Sequence, residues 1–462
     1  MACPPLAVNS IPPEILGEIF FRCSPSSDCI RPFKLRSNRQ LDNRMKEGTA
    51  QNPLILGHVC KDWRSISRSL PLLWVTVNLH NINKSSLALL ALWLEFSSSH
   101  PLNVSATITS EEVTHSALAQ LFKHAARWRR LHLHIGPGVD DSVLEVVSNY
   151  HFLLLEEAMV TTAKEDPLAK EELSEHIIST SPKLTRLALP LTIDISALQT
   201  TATRQTLTMI RLETILADDL FPLLEACQHL KEFCTGFLFV RSGFLPTIRT
   251  LQLTLPDLRH FEIDLILSQD KDAPRFIDHL TLPSLTELAF PLWFGWLEHT
   301  SSLPMRWASW ESLLERSGTE LKVFRYIGTT LLYSDGHGDT LNKIIRSPVM
   351  RHLVHLEFLA HDRVLSTLHH TAQQHFLPDL ESITITGKLI GKLSDDLIAS
   401  MAVSRARASG SKLLRVDVHV EEADRNPRRQ TDPGEPECSI VKFKPPADVQ
   451  ERLVRVDCGC IE

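Results

Sequence analysis

The chain has 462 residues, 48 Lys and Arg against 55 Asp and Glu, and a net charge of −7. That length accommodates several domains or a repeat array, and the mixed, slightly acidic balance excludes the concentrated positive charge of a nucleic-acid binder. No apolar run reaches ~18 residues, so no membrane span is expected. The start, Met1-Ala2-Cys3-Pro4-Pro5, has neither the basic nor the apolar part of a secretory leader. Ala2 excludes a myristoyl signal, and Gly459 puts Cys458 and Cys460 out of the prenylation frame. The nine cysteines are scattered and odd in number, as expected of reduced thiols in the cytoplasm or nucleus. Cys458-Gly459-Cys460 lacks a partner pair at zinc spacing, so neither metal nor cofactor is expected.

The first predicted element is a short helix in Ile11-Pro12-Pro13-Glu14-Ile15-Leu16-Gly17-Glu18-Ile19-Phe20. Prolines are tolerated in a first turn, and Glu14 suits the positive end of the helix dipole. Ile15, Leu16, Ile19, Phe20 and Cys23 form its apolar face. Residues 24–52 are polar, with Arg31, Lys34, Arg36, Arg39, Arg44 and Lys46, and read as a flexible basic loop. A second helix comes next, with Leu56, Val59, Cys60, Trp63, Ile66 and Leu70 on one face. Pro71 stops it, and Trp74 stands beyond as a large apolar plug. Helices of a few turns do not stand alone in water, so these must pack on each other or on a partner.

The pair resembles an F-box of the fungal type. That family carries a Leu-Pro-x-Glu-Ile/Leu-Leu start, a Val-Cys-x-x-Trp helix and a Leu-Trp close. They stand here as Ile11-Pro12-Pro13-Glu14-Ile15-Leu16, Val59-Cys60-Lys61-Asp62-Trp63 and Leu73-Trp74. Ile11 replaces the usual Leu, and Ser24 to Asn52 intervene where the family has a short joint. The resemblance covers residues 1–80. It implies that the segment binds a Skp-family adaptor, and through it a cullin, by way of Ile11, Pro12, Ile15, Leu16, Ile19, Val59, Cys60, Trp63 and Trp74.

Trp74 to Leu79 and Leu102 to Ile108 alternate apolar and polar residues and read as strands, with a helix over Ser85–Phe96 between them. From Trp128 an apolar-x-x-apolar-x-apolar pattern recurs, as in Trp128-Leu131-Leu133, Leu184-Leu187-Leu189, Leu285-Leu288-Phe290 and Leu353-Leu356-Phe358. Copies start at 128, 155, 184, 207, 230, 258, 285, 321, 353, 380 and 413, roughly 28 residues apart. Leu255-Pro256, Leu282-Pro283 and Leu377-Pro378 stand just before three of them. Ile248-Leu251-Leu253 also fits, yet lies too close to Leu258 for both to be repeat strands. Residues two apart point to one side of a strand, and a period of ~20–29 is that of leucine-rich repeats. The array resembles the irregular leucine-rich arrays that often follow an F-box, although most units lack the family's asparagine. The expected fold is therefore α/β: a helical F-box, then over 81–420 a leucine-rich-repeat solenoid with a curved parallel sheet and helical or irregular returns. From Glu421 to Pro446 the composition turns to Glu, Arg, Pro, Asp and Gly, and 421–462 reads as a mostly disordered tail, with a last short strand at Arg452–Val456.

Catalytic constellations are not legible. Ser334-Asp335-Gly336-His337-Gly338-Asp339 reads as a solvated turn, and His132 and His134 as surface residues of one strand. In a leucine-rich array the residues beside the core leucines line the concave face. That places Arg211, Glu213, Glu262, Asp264, Arg325, His355 and Glu357 as candidate contacts to a protein substrate. Four of the eight tryptophans, Trp293, Trp296, Trp307 and Trp310, lie close together in one long interval. Trp293 and Trp296 join the candidates, because tryptophan is common at interface hot spots. The resemblance implies a non-catalytic substrate receptor of a Skp-cullin-F-box ubiquitin ligase. The alternative is a non-ligase interaction scaffold whose first helices only cap the array.

Overall fold

The computed structural model describes residues 11–23, 53–80, 83–109, 112–136, 139, 149–162, 168–190, 198, 202–239, 252–263, 277–292, 307–328, 335–370, 376–389, 393–408, 412–413 and 415–422. The basic loop 24–52, Asp264, Trp293, Trp296 and the tail beyond Glu422 lie outside them. The fold is α/β, built on parallel strands, in two compact units of residues 1–213 and 214–462.

The first unit opens with helices α1 (Pro13–Cys23), α2 (Pro53–Val59) and α3 (Lys61–Arg68) and a 3-10 turn, Pro71–Trp74. One continuous helix through Leu56–Leu70 is the sequence expectation; the chain instead breaks at Cys60. Its extended backbone (φ −157°) caps α3, and its Sγ accepts the Trp63 N–H at 3.4 Å. A thiol here does what Ser or Asp usually does at a helix start. Strands β1 (Thr76–Leu79), β2 (Leu102–Ile108), β3 (Trp128–Ile135), β4 (Glu157–Thr162), β5 (Arg186–Leu189) and β6 (Met209–Leu216) then pair in parallel, in chain order. Helices α4 (Lys84–Phe96), α5 (Glu112–Phe122), α6 (Leu168–Thr180) and α7 (Thr203–Thr206) make returns between them. Asn83 opens α4 with a capping box, its side chain accepting the Ser86 N–H.

The second unit contains α8 (Ala217–Ala226), β7 (Glu232–Phe239), β8 (Leu253–Thr254), β9 (His260–Ile263), β10 (Leu280–Thr281) and β11 (Glu287–Leu292). It continues with α9 (Trp307–Ser317), β12 (Val323–Gly328), α10 (Asp335–Ile345), β13 (His355–Leu359), α11 (Asp362–His370), β14 (Ser382–Leu389), α12 (Leu393–Arg407) and β15 (Arg415–Glu422). Strands β7, β9, β11, β12, β13, β14 and β15 form a parallel sheet in that order. The competing patterns at Leu253 and Leu258 are strands of different sheets: β8 pairs with β10, while β9 enters the main sheet. Two expectations are corrected here. Asp335 to Asp339 begin helix α10 rather than a turn, and β15 runs through Glu421 and Glu422, where the composition change places the tail.

Every predicted pattern copy carries a strand, and alternate residues stack in register. In the first unit Val77, Val104, Leu131, Ala158, Leu187 and Ile210 align side by side. In the second the row is Phe233, Phe261, Leu288, Phe324, Leu356, Ile383 and Val416. All thirteen are buried. Helix α9 closes over its row with Trp310, whose ring stands edge-on to Phe290 at 4.8 Å. Trp307 and Trp310 are thus core residues, not an interface pair.

Leu288 and Leu356 are fully buried in the middle of their row. Truncating either to Ala should cost about 2–5 kcal/mol by leaving a cavity. Urea unfolding of the full chain, read by fluorescence, should show the loss as a lower midpoint.

Candidate functional site

Two surfaces collect the candidate residues. The first is made by α1, α2, α3 and the 3-10 turn. Leu16 and Phe20 of α1 pack with Leu73 and Trp74 in a small core, flanked by Ile11, Leu54, Leu56, Trp63, Ile66 and Leu70. Phe20 lies 4.7 Å from the Trp63 ring, and the Trp74 indole N–H donates to the Ser67 carbonyl at 2.8 Å. That core uses one face of α1 only. Ile15 and Ile19, one turn apart, remain 53% and 41% exposed, and Pro12 is exposed too. Ile55 and Val59 of α2 and Leu72 of the turn are likewise more than half exposed. The nine adaptor-contact candidates therefore divide. Leu16, Trp63 and Trp74 are support, Cys60 is a cap, Ile11 is partly buried, and Pro12, Ile15, Ile19 and Val59 face outward. Ile55 and Leu72 belong to the same exposed set. Sequence reasoning missed them because both lie off the stripe of the resemblance.

The second surface is the sheet face opposite the leucines. In the second unit, register places Cys234, Glu262, Ala289, Arg325, Glu357, Thr384 and Asp417 in one row. Glu232, His260, Glu287, Val323, His355, Ser382 and Arg415 form the row beside it. The charges pair both across strands and along them. His260 Nε2 is 3.5 Å from Glu262 Oε2, and its Nδ1 is 3.1 Å from Glu287 Oε1. Arg325 reaches Glu287 at 2.8 Å and Glu357 at 3.4 Å. Arg415 meets Asp417 at 2.7 Å, and His355 Nδ1 lies 2.7 Å from Ser382 Oγ. Among the described residues neither Arg325 Nε nor Glu287 Oε1 has an aligned hydrogen-bond partner, so charge rather than hydrogen-bond direction holds this cluster. Burial opposes a charge on His260, yet its polar contacts with Cys234, Glu262 and Glu287 outweigh it and push its pKa up to about 12. Burial outweighs nearby carboxylates at His355 and lowers its pKa.

Of the candidate contacts on this face, Glu357 is buried: its side chain is 5% exposed, with one carboxylate oxygen 3.4 Å from Arg325 Nε. In the first unit Arg211 is also buried, while Glu213 is exposed. For Glu357 the paired strands explain this: neighbours on both sides crowd a side chain at the middle of its row, and the opposite charge of Arg325 makes that burial tolerable.

Three histidines mark the matching face of the first unit. His80 lies 2.7 Å from Thr107 Oγ1 and 3.0 Å from Ser105 Oγ, and His134 3.0 Å from Thr161 Oγ1. His132, in register with Ser105, keeps a buried Nε2 without a hydrogen-bond partner among the described residues. Burial first, then the neighbouring His80 and His134, push its pKa down to about 4. His132 and His134 are thus half-buried rather than surface residues.

No family model matches this chain, and no curated protein does. Among solved structures, a Bacteroides fragilis protein determined by a structural genomics consortium is similar at 13% identity, with a TM-score of 0.30 over 63% of this chain and 71% of that one. A likeness that weak carries no argument about fold or function.

These contacts make two outcomes testable. Glu357→Ala removes one of the two carboxylates holding Arg325 and should cost about 1–3 kcal/mol, read from the urea midpoint. His132 stays neutral when folded but takes a proton near its ordinary pKa of 6.5 when unfolded. The unfolded state then binds more protons between those values, so stability falls as pH drops from 6.5 toward 4. His132→Gln should flatten that slope in urea titrations at stepped pH.

Proposed function

We propose that this chain is a substrate-recognition subunit of a Skp-cullin-F-box ubiquitin ligase. On this reading residues 1–80 are the F-box that grips the Skp-family adaptor, and the strand-and-return units after it are irregular leucine-rich repeats that hold a protein target. The single observation that carries the proposal is the outward face of α1 and α2. Ile15, Ile19, Ile55, Val59 and Leu72 are exposed around a core already filled by Phe20, Trp63 and Trp74. Short helices that spare so much apolar surface are suited to a second protein. The Val59-Cys60-x-x-Trp63 and Leu73-Trp74 motifs of the resemblance fall on that cap and that core. The chain would perform no chemistry; it would raise the effective concentration of a target beside the transferring enzyme.

A scaffold reading, in which the helices only cap the array, is favoured by one contact. Trp74 packs edge-on to Trp93 at 5.0 Å and lies 4.8 Å from Phe96, both in α4, so the helical start is fused to the first return helix of the sheet. Adaptor binding separates the two readings, since only the ligase reading requires it.

Burying each large apolar side chain is worth about 1.5–3 kcal/mol. Ile15→Asp with Val59→Asp, both exposed and away from the small core, should therefore weaken adaptor binding by at least about 100-fold. The thermal melt should not move. Calorimetric titration with purified Skp-family adaptor gives the answer, and wild-type protein that binds no adaptor would favour the scaffold.

A further inference from the structure

We propose that Cys234, His260 and Glu262 form a binding site for a divalent transition metal such as zinc, with Glu287 orienting the histidine. The three residues come from adjacent strands β7 and β9, and Cys234 stands opposite Glu262 in the register. One ligand atom from each lies within 4.8 Å of the others. Zinc binds thiolate at ~2.3 Å and imidazole or carboxylate at ~2.0–2.2 Å, which sets tetrahedral ligand atoms roughly 3.3–3.7 Å apart. The 3.5 Å between His260 Nε2 and Glu262 Oε2 is already that distance. A thiol, an imidazole and a carboxylate suit a borderline-soft cation better than calcium or magnesium.

The second observation lies on the far side of the ring. Metal-bound histidines nearly always turn their other ring nitrogen to a carboxylate or carbonyl, which fixes the ring. His260 Nδ1 lies 3.1 Å from Glu287 Oε1, within reach of such a contact although the two are not aligned as a hydrogen bond, and Arg325 holds that same carboxylate oxygen at 2.8 Å. The ring therefore has Nδ1 beside Glu287 and Nε2 beside Glu262, and Cys234 stands opposite Glu262 on the next strand. Metal entry displaces the Nε2 proton and the thiol proton, so one dication replaces two protons and the local charge is unchanged. His260 and Glu262 keep 14% and 15% of their side chains exposed. An entering ion thus has a path from the sheet face, and its fourth position is open to water or to a donor from a bound protein. The competing state is an imidazolium that bridges Glu262 and Glu287 without metal.

Cobalt(II) titration of the chelator-stripped full chain distinguishes them. Cys438→Ser, Cys458→Ser and Cys460→Ser are introduced throughout to remove the tail thiols. The expected result is one bound ion per chain with a thiolate-to-cobalt charge-transfer band, displaced by zinc. Cys234→Ser should abolish that band, and Glu287→Gln should weaken cobalt affinity about 10–100-fold. A thermal melt accompanies each variant; if Cys234→Ser does not fold, Glu262→Gln replaces it, with the same expected loss of affinity. No charge-transfer band in the parent chain, a band undiminished in a folded Cys234→Ser, or unchanged affinity in Glu287→Gln would each overturn the proposal and leave the imidazolium bridge.

Discussion

The parallel ladder is the constraint on which the rest depends. A strand in a parallel pair has no hairpin partner, so its backbone groups are satisfied by strands that lie a whole repeat away in sequence. The ladder starts at the same phase each time: the Thr286 N–H donates to the Arg259 carbonyl, Lys322 to Thr286, Val354 to Lys322 and Glu381 to Val354. That regular entry fixes which residues face inward. One apolar row is buried in each unit, and a slip of one residue would turn it outward. The same register forces polar residues of neighbouring strands together on the opposite face. The charge pairs from His260 to Glu357 are consequences of the leucine spacing as much as of their own chemistry.

The helices before the first strand meet a different limit. Each is too short to be stable alone, so they share one plug. Trp74 serves both sides, bonded to Ser67 behind it and packed on Trp93 and Phe96 ahead. With α1 anchored through Leu16 and Phe20, the turn-related pair Ile15 and Ile19 faces outward. The exposed apolar surface and the stable core are two faces of the same helix, and the proposed partner site depends on that division.

Much of the strand framework was legible in the sequence because period-two leucines encode it locally. Even the weakened copies at Leu155 and Leu230 precede strands β4 and β7. The features that were not legible depend on distance or on an unusual donor. Cysteine is a rare helix cap, so the break at Cys60 looked like an uninterrupted apolar stripe. Which tryptophans are core is decided by Phe290 and Phe261 on other elements, not by the crowding of tryptophans in the sequence. The outward residues Ile15 and Ile19 were grouped with inward Leu16 and Phe20, because an apolar face alone does not say which edge finds a neighbour. The Cys234–His260–Glu262 cluster carries no spacing signal, since β7 and β9 approach only through the sheet. Buried Glu357 is opaque for the same reason: its partner Arg325 is on another strand.

Hydrogen–deuterium exchange of the full chain, with and without purified Skp-family adaptor, tests the central claim most directly. The account predicts a stable complex in which added protection is confined to 11–23 and 53–74, with the sheet strands unchanged. Protection centred on the sheet strands, or no complex at micromolar concentrations, would contradict it.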